Sequence, residues 1–144
     1  MPELADWVGR EQEQFDTISP LPVAALSATL DHGRPAAVPG QALPAPWHWL
    51  YFLSTPTAAE LDADGHARRG GFLPPVPLPR RMWAGSRIRY HSPLQVGDQV
   101  RRLSRIESVT HKQGASGTLV FVTVSHRIFR DPVLAVEEEQ DLVY

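Results

Sequence analysis

With 144 residues, no cysteine and a formal net charge of −2, the chain is long enough for one domain with a real core, and it has neither disulfides nor a thiolate metal site. That charge excludes a strong general attraction to nucleic acid or to an anionic membrane. No apolar run approaches the ~18 residues of a bilayer span, and the N-terminus, with Glu3 and Asp6, lacks the basic-then-apolar order of a signal peptide, so a cytoplasmic protein is expected.

Residues 2–8 are expected to form a helical turn with Leu4, Trp7 and Val8 inward, and residues 11–18 an edge strand. Ser19-Pro20 is a helix start, with Ser at the N-cap and Pro at the first position. Leu21, Ala24, Ala25 and Ala28 follow at helical spacing to about Leu30, and Asp31-His32-Gly33 stops the helix. Residues 44–53 form the most apolar and aromatic window. Pro46 at a first helical position predicts a short helix there, apolar nearly all round and so buried on nearly all sides. A fully buried strand is the alternative, which periodicity does not separate from it.

Residues 57–61 predict a helical turn. Asp62-Ala63-Asp64-Gly65 has the opening of a calcium loop without its remaining ligands or closing Glu, and is read as a plain turn. A long connection runs on to residue 79. From residue 81 the pattern turns regular. Met82, Ala84, Ser86, Ile88 and Tyr90 fall on one face of a strand over 81–91; Trp83, Arg87, Arg89 and His91 fall on the other. Further strands are predicted over 99–111, 118–130 and 133–144. Short connections between them predict an antiparallel meander. The fold class is α+β: a hot-dog fold, with a curved antiparallel β-sheet wrapped around a central α-helix in a single domain over 1–144.

Four stretches resemble the MaoC-like hydratases and dehydratases. They are Pro46-Trp47-His48-Trp49-Leu50-Tyr51-Phe52, the run from Arg68 to Gly85, Pro93-Leu94-Gln95-Val96-Gly97-Asp98, and Glu138-Glu139-Gln140-Asp141-Leu142-Val143-Tyr144. Within that family the chain is similar to the mesaconyl-C4-CoA (3-methylfumaryl-CoA) hydratase group, related to mitochondrial type 2 3-hydroxyacyl-thioester dehydratases. The resemblance covers nearly the whole chain, but members of the group are about twice as long. They carry two hot-dog repeats, with the catalytic Asp and His in the second, in a pattern like Asp-x-Asn-x-x-His. Neither Asp98 nor Asp131 opens such a pattern here. The resemblance is to the first repeat, expected as a split subunit or an excised domain, homo- or heterodimeric with a second hot-dog repeat that supplies the catalytic pair.

Hydration of an enoyl thioester needs a base for water, an acid for the α-carbon and donors for the thioester oxygen. The resemblance makes His48 a wall of the acyl pocket; the alternative is a buried histidine bonded to backbone. His91, at a strand end, is the one weak catalytic candidate, with no evident carboxylate partner. Arg80 and Arg81, within a basic run that includes Arg68, Arg69, Arg87 and Arg89, suit coenzyme A phosphates or a solvated edge. Gly70 and Gly71 permit close approach of a pantetheine chain or make a turn. Trp47, Tyr51, Phe72 and Trp83 line an acyl tunnel or build core. No cofactor and no metal are expected, since coenzyme A enters as the thioester of the substrate. A silent acyl-thioester binding module and a hot-dog thioesterase stay open; the latter needs a carboxylate near the central helix, and residues 47–53 hold none.

Overall fold

The computed structural model describes residues 2–32, 37–63, 65–68, 70–78 and 80–144. Gly33 of the predicted stop signal, Asp64 of the calcium-like turn, and Arg69 lie outside the described residues. After a 3-10 turn at Pro2–Trp7 come strand β1 (Glu11–Thr17) and helix α1 (Pro20–Thr29). Two short 3-10 turns, Trp47–Leu50 and Ala58–Glu60, punctuate the long connection. Strands β2 (Met82–Tyr90), β3 (Gln99–Gly114), β4 (Gly117–Arg130) and β5 (Val133–Val143) complete the chain.

The five strands make one antiparallel sheet in the order β1-β3-β4-β5-β2, the hot-dog layout of a curved sheet with, among the described residues, one α-helix. The meander expectation holds for β3, β4 and β5 only. β2 pairs with β5, not with β3, so residues 91–98 carry the chain back across the sheet. That path is pinned by Gly40 N–H to Val96 C=O, Leu43 N–H to Leu94 C=O and Ile18 N–H to Asp98 C=O.

The helix of this fold is α1, not the aromatic window. Ser19 occupies the N-cap with extended backbone, and Pro20 opens the helix. Residues 47–50 make only a single 3-10 turn. Tyr51 is extended and Phe52 sits at φ 57°, a left-handed conformation that ends any helix. The cause is tertiary: the Phe52 N–H donates to Asp16 Oδ2 on β1 at 2.9 Å, which draws the chain out of helical geometry. Burial on all sides also fails, because Trp49 is 49% and Leu53 72% exposed.

Alternation puts Val120, Val122, Val124, His126 and Ile128 of β4 on the inward face. The register sets Ile106, Ser104 and Arg102 of β3 beside Val124, His126 and Ile128. Gln140, Glu138 and Val136 of β5 lie on their other side. A polar row, Ser104–His126–Glu138, flanked by Arg102 and Gln140, therefore crosses a largely aliphatic face. It divides the core in two. Leu4, Val76, Ile106, Val120, Val122, Val124 and Tyr144 pack on one side. On the other, Val23 of α1 and the aromatic turn pack on Val100, Ile128 and Val136. On β2, a bulge between Trp83 and Gly85 breaks the predicted alternation and brings Trp83 to the side of Ser86, whose Oγ accepts from its indole N–H at 3.1 Å.

Ile106 is fully buried, so Ile106→Ala should destabilise by about 2–5 kcal/mol, transfer and cavity costs together. Phe15→Ser, at a side chain that is 71% exposed, should stay within about 0.5 kcal/mol. Urea unfolding of the two variants checks both values.

Candidate functional site

The polar row meets the aromatic turn at Glu138. Its carboxylate is buried and fully engaged. Oε1 lies 2.9 Å from His48 Nε2 and accepts from the Trp49 indole N–H at 3.0 Å. Oε2 accepts from the same indole at 3.0 Å, from Ser86 Oγ at 2.9 Å and from Gln140 Nε2 at 3.0 Å. Burial alone would push this carboxyl up, but the donors from His48, Gln140, Trp49 and Ser86 outweigh it and hold the pKa at about 2. Next in the row, His126 Nδ1 lies 2.7 Å from Ser104 Oγ. Burial and then the nearby Arg102 charge push the His126 imidazole down to about 4, against the opposing pull of Glu138.

Above this row lies a cleft of about 270 Å³, walled by His48, Phe52, Arg102, His126 and Ile128 with Glu138 at its floor. A larger groove of about 720 Å³ is lined by Arg68, Gly71, Phe72, Arg81 and Leu142. Ser54 lines both. The described residues contain no cluster of three or more His, Cys, Asp or Glu able to hold a metal ion.

The predicted site residues separate into groups. His48 is in the cleft, bonded to a carboxylate rather than to backbone. Gly71, Phe72 and Arg81 share the groove, while Arg80 is exposed. Gly70, at φ 93°, turns the chain, and its N–H bonds to the Leu73 carbonyl. Trp47 is buried and stacked on His32 with ring centres 5.8 Å apart. Tyr51 lines the cleft but is locked in the core by its hydroxyl, which donates to the Ser19 carbonyl at 2.7 Å. Trp83 is half-exposed and packs edge-on against Trp49. His91 does have a carboxylate partner, contrary to expectation. Its Nε2 lies 2.9 Å from Glu137 Oε2 in an exposed pair, on the sheet face opposite Glu138. Arg87 is tied to Asp141 through both terminal nitrogens, at 2.8 and 3.2 Å. It is therefore committed to the sheet rather than free for a phosphate.

Sequence reasoning missed Glu138, His126 and Arg102 as site residues. The signal was there: His126 interrupts the apolar phase of Val120, Val122 and Val124, and Glu138 does the same between Val136 and Leu142.

A family model described as hydroxyacyl-thioester dehydratase type 2 matches residues 46–144. Mesaconyl-C(4)-CoA hydratase of Chloroflexus aurantiacus is 46% identical over 138 residues, which make up 96% of this chain and 49% of that protein. The chain thus spans about half the length of the curated relative it matches. Among solved structures, the ChsH1-ChsH2 complex from Mycobacterium tuberculosis aligns with a TM-score of 0.66 at 12% identity, over 99% of this chain and 86% of that chain. The C-terminally truncated HadBC (3R-hydroxyacyl-ACP dehydratase) complex, also from Mycobacterium tuberculosis, gives 0.62 at 15% identity, over 98% and 99%. The (R)-hydratase of A. caviae gives 0.51 at 19% identity, over 94% of each chain. At these identities the structural likenesses establish the hot-dog fold.

The two shifted groups make stability depend on acid in two steps. Between pH 6.5 and about 4 the unfolded chain protonates His126 while the folded chain does not, so stability falls as pH drops through that window. Between 4.5 and about 2 the unfolded chain likewise protonates Glu138 before the folded chain does, and stability falls further. The melting temperature should therefore decline from pH 6.5 to 4.5, and His126→Asn should flatten that upper limb. Thermal melts across this range test it, and an unchanged limb in the variant would refute the assignment.

Proposed function

The chain belongs to the hydroxyacyl-thioester dehydratase type 2 family, and on that premise we propose that it is the substrate-binding half of an acyl-CoA hydratase. The carrying observation is that Ser54 lines both the small cleft and the arginine-bearing groove. A thioester lying across Ser54 puts its acyl end in the cleft and its coenzyme A arm in the groove. There Arg68 and Arg81 attract phosphate, Phe72 covers the chain and Gly71 lets it come close. Coenzyme A is then substrate, and the chain itself carries no cofactor.

The second half supplies acid–base chemistry. His91 is paired outward with Glu137, and a carboxylate held near pKa 2, such as Glu138, is a weak base for activating water at neutral pH. Support for a partner comes from the relative of twice the length and from the open edge of β2. That edge is flanked by Met82, Trp83 and Trp49, which are 61%, 58% and 49% exposed, apolar surface that a second hot-dog half would cover. We infer a dimer, with an identical chain or with a distinct catalytic half.

The His48–Glu138 contact favours a second reading, a complete single-domain enzyme or thioesterase, since the fold brings a carboxylate to the aromatic turn where the local sequence has none.

Purified alone, the chain should hydrate crotonyl-CoA or mesaconyl-C(4)-CoA at background rates, about 10²- to 10⁴-fold below the assembled enzyme. It should still bind the thioesters, more weakly at high salt and after joint replacement of Arg80 and Arg81 by Ala. Calorimetry and absorbance at the enoyl thioester band measure the two. Rapid turnover by the isolated chain, lost in His48→Asn, would establish the second reading instead.

A further inference from the structure

Phe52 has a backbone conformation that does not suit its side chain. Asp31 and Phe52 are the non-glycine residues with positive φ among the described residues, at 54° and 57°. Aspartate visits the left-handed region readily, whereas a bulky aromatic residue there is an outlier. Glycine makes such a turn without strain, so a ring at position 52 points to a task beyond turning the chain. Asp16 holds it in place: Oδ2 accepts from the Phe52 N–H at 2.9 Å, while Oδ1 accepts from the Thr17 N–H at 2.7 Å.

Two hollows adjoin this segment. One is the cleft of about 270 Å³ that reaches Ile128. The other is a pocket of about 350 Å³ beside Phe15, Pro22 and Leu50. Tyr51, Phe52 and Leu53 line both. Tyr51 is locked by its hydroxyl on the Ser19 carbonyl, and Leu53 is mostly exposed. Phe52 is the enclosed ring of the three that makes no side-chain hydrogen bond. On the cleft side, the Arg102 guanidinium lies 5.0 Å from the ring centre. Gln14, which accepts from Arg102, lines the pocket. The pocket's apolar residues suit a hydrocarbon chain.

We propose that Phe52 is the partition that limits acyl length: its ring closes the cleft against the neighbouring pocket, and Asp16 is the positioning residue that holds it there. The inference rests on the thioester-binding reading above and adds the residue that sets how long a chain the site takes. With the ring gone, the two hollows join, and a longer acyl tail runs on past position 52 toward Phe15 and Leu50.

The test compares crotonyl-CoA with trans-2-octenoyl-CoA by calorimetry. The wild-type chain should bind the shorter thioester at least as tightly, because the added methylenes find no room. In Phe52→Gly, which suits the left-handed backbone, the longer one should gain on the shorter by about tenfold, less than full burial of its extra methylenes would give. Asp16→Ala should shift the ratio the same way by about threefold, and Asp16→Asn, whose amide oxygen still accepts from the Phe52 N–H, should restore it. Melting curves show which variants fold, and Phe52→Leu replaces Phe52→Gly if the latter does not. Tighter binding of octenoyl-CoA by the wild type, or an unchanged ratio in the Phe52 variant, overturns the partition and leaves the thioester reading standing. An unchanged ratio in Asp16→Ala overturns the role of Asp16. If neither thioester binds any of the proteins, the thioester reading falls, and free trans-2-octenoate decides the rest. Amide shifts at Phe15 and Leu50 together with Ile128 that appear only in the Phe52 variant would uphold the partition, and the same response in variant and wild type would end it.

Discussion

The structure turns on one buried carboxylate. Glu138 joins three parts of the chain that share no sequence neighbourhood: the aromatic turn through His48 and Trp49, the edge strand β2 through Ser86, and its own strand through Gln140. A buried charge of this kind gains little net stability over an apolar replacement, but removing it alone strands four donors. Its physical effect is geometric. It fixes where the aromatic turn lies on the sheet, and that in turn sets the mouth of the cleft.

The polar row across the inward face has a second consequence. Two apolar clusters flank it, and the cleft opens where their packing is interrupted. The groove sits on the side of Phe72, Leu73 and Leu142, which pack against the second cluster. Binding surface and core are thus parts of one arrangement. The proline-rich connection can be irregular because the sheet behind it is continuous.

Strands β3, β4 and β5 were legible in the sequence, since long alternation with β-branched residues leaves few other solutions. So were α1, from Ser19-Pro20, and the single turn over Ala58–Glu60, where Thr57 and Glu60 cap one another. The aromatic window misled because Pro46 and a run of apolar residues resemble a helix start. The contact that decides its shape, Phe52 to Asp16, spans 36 positions and leaves no local trace. β2 was placed beside the wrong neighbour for the same reason, as a short connection says nothing of a chain that crosses a curved sheet. The site was the least legible part. His48 meets Glu138 across 90 positions, and Arg102 reaches the cleft wall only through the register of β3 beside Ile128. Beside the predicted His48, the misplaced polarity of His126 and Glu138 within apolar phases was the signal visible beforehand.

The three consecutive glutamates of β5 bear on how the protein finds its own structure. Glu137 and Glu139 face outward, toward His91 and Arg87, and Glu138 faces inward. A slip of β5 by one position would put Glu137 or Glu139 in Glu138's place, before the same donors, but would turn Val136 out of the core. A slip of two would set Val136 or Gln140 against His48. The acidic run therefore leaves the one-position slip to be opposed by the apolar residues around it, while Glu138 itself opposes the slip of two.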